Sequence, residues 1–135
     1  MTRTEPTGEH SRLHTTPLWA ELLHRACSVM VFDVVDGERL ENPRLFADVA
    51  VGIPDGIRCD ERGNIWAACG DGVNVFAAGS GDLLLRILTP KTSANCCFGG
   101  AEGRELLITA NDCVWLLPTR VRGAVAAQQS DDAKL

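Results

Sequence analysis

Pro54-Asp55-Gly56 sets one carboxylate immediately before an apolar, strand-like run, "GIRCD". Two uses of Asp55 are open. Proline presets φ, and Asp and Gly tolerate a bend, so the triplet can simply be a reverse turn. A carboxylate in that place can also hold a cation, because a divalent ion such as Ca²⁺ takes hard oxygen donors. Asn95 precedes "CCFGG" 40 positions further on and offers an amide oxygen in a similar setting.

Other reactive groupings are less suggestive. His10 and His14 are four apart and could share a metal on a helix, but Pro6, Gly8 and the Ser/Thr content around them favour disorder. Cys27, Cys59, Cys69, Cys96, Cys97 and Cys113 form no Cys-x-x-Cys set, and the adjacent pair would face opposite sides of a strand. They read as small buried hydrophobes of a reducing compartment. Ser11, Ser28, Ser80, Ser93 and Ser130 lack a Gly-x-Ser-x-Gly context. The glycine-rich "GDG" and "GSGD" have no following P-loop lysine or helix, so they read as hairpin turns. "DERGN" alternates oxygen donors like a calcium loop, yet it lacks the distant glutamate and flanking helices.

The 135 residues suit one domain, and 45% hydrophobic content is enough for a core. A net charge of −5 with no run of Lys or Arg argues against a nucleic-acid partner. The most apolar window, 18–32, is broken by Glu21, His24 and Arg25 and cannot cross a bilayer. Glu5 and Glu9 interrupt the N-terminus before any apolar stretch, so no secretory signal is read and a cytoplasmic protein without a membrane partner is expected.

Residues 1–16 read as disordered. A short amphipathic helix is expected over 17–27, with Thr16 as N-cap and Pro17 in the first turn. Leu18, Trp19, Leu22, Leu23 and Ala26 share one face, and Glu21 and Arg25 form an i,i+4 pair. From there the period becomes that of strands. "SVMVFDV" and "PRLFADV" flank a polar loop, "VDGERLEN"; then "GIRCD", "NIWAAC", "VNVF" and "LLLRILT" follow, and finally "NCCFGG", "ELLITA" and "CVWLLP". Residues 122–135 read as a flexible tail.

An internal repeat underlies these strands. Val31-Phe32 with Leu40 match Val75-Phe76 with Leu84 at a shift of 44, and Gly63 and Gly103 mark matching turns 40 apart. Four short strands per 40–44 residues is the pattern of β-propeller blades. The expected fold is therefore all-β, a partial β-propeller over 28–121 comprising two strands of one blade, a complete blade and three strands of the next. A closed ring needs about four to eight blades of ~40–45 residues, more than is present. The chain is thus expected to be a piece of a larger protein, to assemble with other copies, or to leave strand edges open. The innermost strand of each blade lines the central channel, which would make Asp55 and Asn95 neighbours at one channel mouth. Trp66 and Trp115 sit at comparable strand positions in successive repeats and read as core residues rather than sugar-stacking ones.

Taken together, Pro54-Asp55-Gly56, the Asp60…Gly63-Asn64-x-Trp66 turn and strand, and Asn95-x-x-Phe98-Gly99-Gly100 with "LLITA" resemble the C-terminal part of the gluconolactonase, regucalcin and luciferin-regenerating enzyme family. "VFDVVDGERLENPRLFADV" resembles the preceding blade, so the likeness covers about 28–121. The resemblance implies a six-bladed propeller with one divalent metal, Ca²⁺ or Zn²⁺, in the channel, and hydrolysis of sugar lactones or related esters. It implies that Asp55 ligates the metal and helps activate water, and that Asn95 contacts substrate or water. The family's other ligands, a glutamate of the first blade and an asparagine of a middle one, have no counterpart in the chain. Weak metal affinity and little or no activity are expected of it alone. The alternative is a non-catalytic propeller fragment that pairs with a partner or other copies through open edges, one of which the 17–27 helix could cover.

Overall fold

The computed structural model describes residues 27–125. The expected disordered segment 1–16, the helix over 17–27 but for Cys27, and the tail from 126 lie outside the described residues. Nine strands follow in order: β1 (Ser28–Val35), β2 (Arg39–Asp48), β3 (Ile57–Cys59), β4 (Ile65–Cys69), β5 (Gly72–Phe76), β6 (Leu83–Leu88), β7 (Asn95–Gly99), β8 (Glu105–Ala110) and β9 (Cys113–Pro118). They pair antiparallel in three sheets, β1-β2, β3-β4-β5-β6 and β7-β8-β9. The fold is all-β. No helix among the described residues is long and apolar enough to cross a membrane.

The hairpin β1-β2 turns more tightly than its polar sequence suggests. Asp36 and Gly37 both take positive φ, 54° and 73°, and Glu38 N donates to Val35 O at 3.1 Å. That is the turn whose twist suits a hairpin. Residues 39–42, expected in the loop, are therefore already strand. Asn42, at φ 51°, and a register shift between Val31 and Asp33 mark a bulge opposite.

The repeat is written in the pairing itself. Ile57 faces Ala67 across β3-β4, and Cys97 faces Leu107 across β7-β8, each pair displaced by 40. Gly63 and Gly103 adopt φ 79° and 66°, and each donates its N–H three residues back, to Asp60 O at 2.9 Å and Gly100 O at 3.1 Å. One residue more in β8 then advances the next turn, so Gly70-Asp71 corresponds to Asn111-Asp112. This corrects the reading of the tryptophans. The counterpart of Trp66 is Leu106, buried like it, whereas Trp115 lies on β9 opposite Ile108 and is 43% exposed.

The four-stranded sheet sits between the other two. On one side Trp66, Val73 and Val75 pack with Cys96, Leu106 and Ile108. On the other, Ala67, Cys69 and Phe76 pack with Ala47 and Val49. Trp66 meets Phe98 edge to face, centroids 5.1 Å apart, a geometry favoured by the ring quadrupoles. The outer faces of the stack remain apolar and exposed. Met30, Phe32 and Val34 line one, and Leu107, Val114 and Leu116 the other.

All six cysteines are free thiols, but only Cys69 and Cys96 are buried; Cys27 and Cys97 are half-buried, and Cys59 and Cys113 exposed. Burial pushes the Cys69 and Cys96 thiols up to about 11, where they stay protonated and inert. The buried-hydrophobe expectation thus fits two residues and not the exposed pair. Strand length explains the difference: Cys59 ends the three-residue β3 and Cys113 opens the edge strand β9.

Asp60 is almost fully buried, and its carboxylate accepts from Arg62 N and Asn64 N at 2.9 Å and from Asn64 Nδ2 and Trp66 Nε1 at 3.0 Å. "DERGN" is therefore a closed structural turn in which the acidic side chain is fully engaged. Its backbone also bridges Gly123, while Glu61 N donates to Arg122 O at 2.8 Å. Burial by itself would raise the Asp60 pKa, but the four donors outweigh it and hold the group below its ordinary value of 3.8.

Asp60→Ala should destabilise the protein by about 3 kcal/mol, because it orphans buried donors aimed at a charge; urea unfolding measures this. A depressed folded-state pKa means the unfolded chain binds the proton more readily. The Asp60 contribution is therefore complete above the ordinary value and lost as pH falls through the lower folded one. Asp60→Asn should flatten the acid limb of the stability–pH curve below about pH 4, with an unchanged limb counting against this role.

Candidate functional site

Asp55 stands two residues before β3 and is held by its main chain. Asp55 N donates to Ala68 O at 2.9 Å, Ala68 N returns to Gly56 O at 2.9 Å, and Gly56 N crosses to Ala94 O of the next sheet's leading segment at 3.0 Å. Ser93 N donates back to Cys69 O at 3.1 Å. These bonds fix the start of β3 against the start of β7. The Asp55 side chain is exposed and has no intramolecular partner among the described residues.

Asp55 lines an open cleft of about 560 Å³ together with Gly52, Gly70, Thr92, Ser93 and Asn111. The glycines are required by contact. A Cβ on Gly52, which adopts φ 76°, would fall 2.6 Å from Gly70 Cα. Ser93 is buried and its hydroxyl lies 3.0 Å from the Thr89 hydroxyl. Thr92 and Asn111 are exposed.

Asn95 opens β7, and its Oδ1 accepts from Cys96 N at 2.9 Å. It lies directly against Gly56, where a Cβ would come within 2.0 Å of Asn95 Oδ1. Its side chain lines a separate hollow of about 120 Å³ with Arg58, Cys97 and Thr109. Asp55 and Asn95 are thus brought to adjoining positions in the backbone, but they face different openings, and no hydrogen bond joins them. Thr92 and Asn111, which flank Asp55 in its cleft, were not singled out from the sequence. Carrying the repeat upstream would have found Thr92 as the counterpart of Gly52.

No three His, Cys, Asp or Glu side chains converge as a metal cluster among the described residues. Among the described residues the cleft has one carboxylate, Asp55, as its anionic oxygen donor, with main-chain groups around it. That set fits a Ca²⁺-like ion held by a single anionic ligand and completed by water. It does not resemble the nitrogen- and sulfur-rich set of a closed zinc site.

Comparison with known proteins gives the same outline. The family described as SMP-30/gluconolactonase/LRE-like region matches residues 11–112, beginning upstream of the likeness read from the motifs. The gluconolactonase of Zymomonas mobilis is 36% identical over 73 residues, covering 53% of this chain and 20% of that protein. Regucalcin of Xenopus laevis is 28% identical over 102 residues, covering 72% and 34%. The solved structure of a Xanthomonas campestris gluconolactonase superposes with a TM-score of 0.62 at 42% identity, covering 67% of this chain and 30% of that one. The chain therefore spans between a fifth and about a third of the length of these proteins. With the repeat, the paired turns and a family match over most of its residues, the chain belongs to the SMP-30/gluconolactonase/LRE-like family.

Proposed function

We propose that this chain carries the C-terminal portion of a metal-dependent, lactonase-like hydrolase, its three sheets being about two and a quarter blades of a six-bladed propeller. The observation that carries this reading is Asp55, a carboxylate without an intramolecular partner at the lip of an open cleft, pinned by main-chain bonds. The names of the relatives point to sugar lactones or related esters as substrates. Asp55 is the metal ligand of this reading. A divalent cation, when bound, supplies Lewis-acid polarisation of a lactone carbonyl. Asp55 contributes the negative charge that would hold it, and its carboxylate would take a proton from the adding water and return it to the alkoxide released as the ring C–O bond opens. Asn95 serves as a contact to substrate or water from the adjoining hollow. With one anionic ligand the site binds its ion weakly, and activity of the chain alone is low or absent. The protein acts in the cytoplasm.

Ca²⁺ should raise the thermal unfolding temperature with an apparent Kd on the order of 10⁻⁴–10⁻³ M, and Asp55→Ala should abolish the rise. Zn²⁺ should give a smaller effect. No metal-dependent shift in the unaltered protein would sink the reading.

A second reading draws on the exposed apolar outer faces. Met30, Phe32 and Val34 at one end and Leu107, Val114 and Leu116 at the other leave sheet surface uncovered. A non-catalytic role, in which these faces and the open strand edges pair with further copies, is consistent with that surface. Sedimentation should then show oligomers at micromolar concentration that dissociate in Leu116→Lys, whereas a monomer throughout would eliminate this alternative.

A further inference from the structure

The cleft beside Asp55 is lined by two unlike pairs of residues. Gly52 and Gly70 meet backbone to backbone, and Thr92, 40 positions after Gly52, and Asn111 of the β8-β9 turn also line the opening. The glycine pair offers no side chain and lets a ligand approach the main chain. The other pair offers a hydroxyl and a primary amide, neither with an intramolecular side-chain hydrogen bond among the described residues.

Neighbouring polar groups are spent elsewhere. The Ser93 hydroxyl lies against Thr89, and Lys91 places its ammonium 2.5 and 2.6 Å from the two Asp112 oxygens. Thr92 and Asn111 thus offer uncharged donors and acceptors, with no free cation next to them among the described residues. Such groups suit alcohol hydroxyls rather than a phosphate or carboxylate, for which charged donors are the usual choice.

Asn111 also sits in a constrained place. It has φ 51° in the β8-β9 turn, a conformation that glycine adopts freely and asparagine tolerates best among residues with a side chain. The turn would accept glycine, which adopts positive φ freely. The asparagine is not needed for the bend, and it adds an amide to the cleft wall.

We propose that Thr92 and Asn111 determine specificity in this cleft by hydrogen-bonding the ring hydroxyls of a neutral, polyhydroxylated ligand, as carried by a sugar lactone. The assignment rests on the lactone-binding reading of Asp55 and adds to it the pair that distinguishes a sugar lactone from a plain one.

Two substitutions test it without removing the fold. Thr92→Val keeps the shape of the side chain, and Asn111→Gly suits the positive φ of that position. Binding is followed by backbone amide NMR shifts in the full chain, with 1,5-anhydro-D-glucitol as the hydroxylated probe, δ-valerolactone as the lactone without hydroxyls, and Ca²⁺ alone. Each variant should weaken anhydroglucitol binding about fivefold to tenfold and leave δ-valerolactone and Ca²⁺ binding unchanged. Equal polyol affinity in variants and unaltered protein, parallel loss of both organic probes, or no polyol binding by the unaltered protein would each overturn the proposal. Asp55→Ala separates the two ideas. If it leaves the Ca²⁺ response intact while the Thr92 and Asn111 variants lose the polyol, the metal-site reading fails and the hydroxyl contacts stand; the opposite pattern removes the hydroxyl contacts alone.

Discussion

The Asp60 carboxylate is the interaction on which the rest of the structure leans. In about five residues of chain it closes the turn before β4, orients Asn64, and receives the indole N–H of Trp66. Trp66 is thereby set at one rotation, and that rotation brings its ring edge to face with Phe98 of the neighbouring sheet. A buried charge is tolerable only when its lone pairs are filled. Here the filling groups are the elements that need positioning, so satisfying the charge and registering the two sheets are one event. The bridge from Asp60 to Gly123 extends the effect to the segment after β9.

Asp55 and Asp60 lie at the two ends of the same short strand and have opposite fates. Asp60 is enclosed and chemically closed. Asp55 keeps its carboxylate in solvent, and only its backbone is tied down. A site that must take a ligand benefits from that division, because rigidity comes from main-chain bonds while the acceptor oxygens stay free. The glycines serve the same end. Gly56 lets the start of β7 close on the start of β3, and Gly52 and Gly70 let two loops touch, so the cleft floor is backbone rather than side chain.

Much of this fold was legible from local pattern. All the strand segments quoted from the sequence correspond to observed strands, because alternation and Gly-rich turns are local properties. The 40-residue repeat located equivalent turns and so placed Asp55 and Asn95 at adjoining backbone positions. It failed where two residues were matched at a spacing other than that of the repeat. Trp66 lies on the second strand of its sheet and Trp115 on the third strand of the next, so two aromatic residues of similar sequence setting end in a core and on an exposed edge strand. Nor could the sequence say that Asp55 and Asn95 open on different hollows. That depends on how Asn95 leans over Gly56, a contact between residues far apart in the chain. The engagement of Asp60 was likewise hidden, since "DERGN" reads equally as a loop of free oxygen donors until the indole of Trp66 is seen to fill one of them.

The repeat also explains how the residues lining the cleft come to differ. Identical units would surround a channel with identical walls, and a ligand would find no orientation preferred over another. Here each unit spends its shared residues on the same structural tasks, the glycine turns and the inward apolar positions, and these are alike at Gly63 and Gly103. Positions that the fold does not need are free to differ. Thr92 stands 40 positions after Gly52, and Asn111 opens the β8-β9 turn as Gly70 opens the β4-β5 turn, with different φ as well as different chemistry. Asymmetry of this kind adds a hydrogen-bonding wall without disturbing strand register, because the altered residues lie in turns and leading segments rather than in the paired ladders. A repeat fold can therefore keep one architecture and vary the residues that line one opening, here beside the main-chain-fixed Asp55.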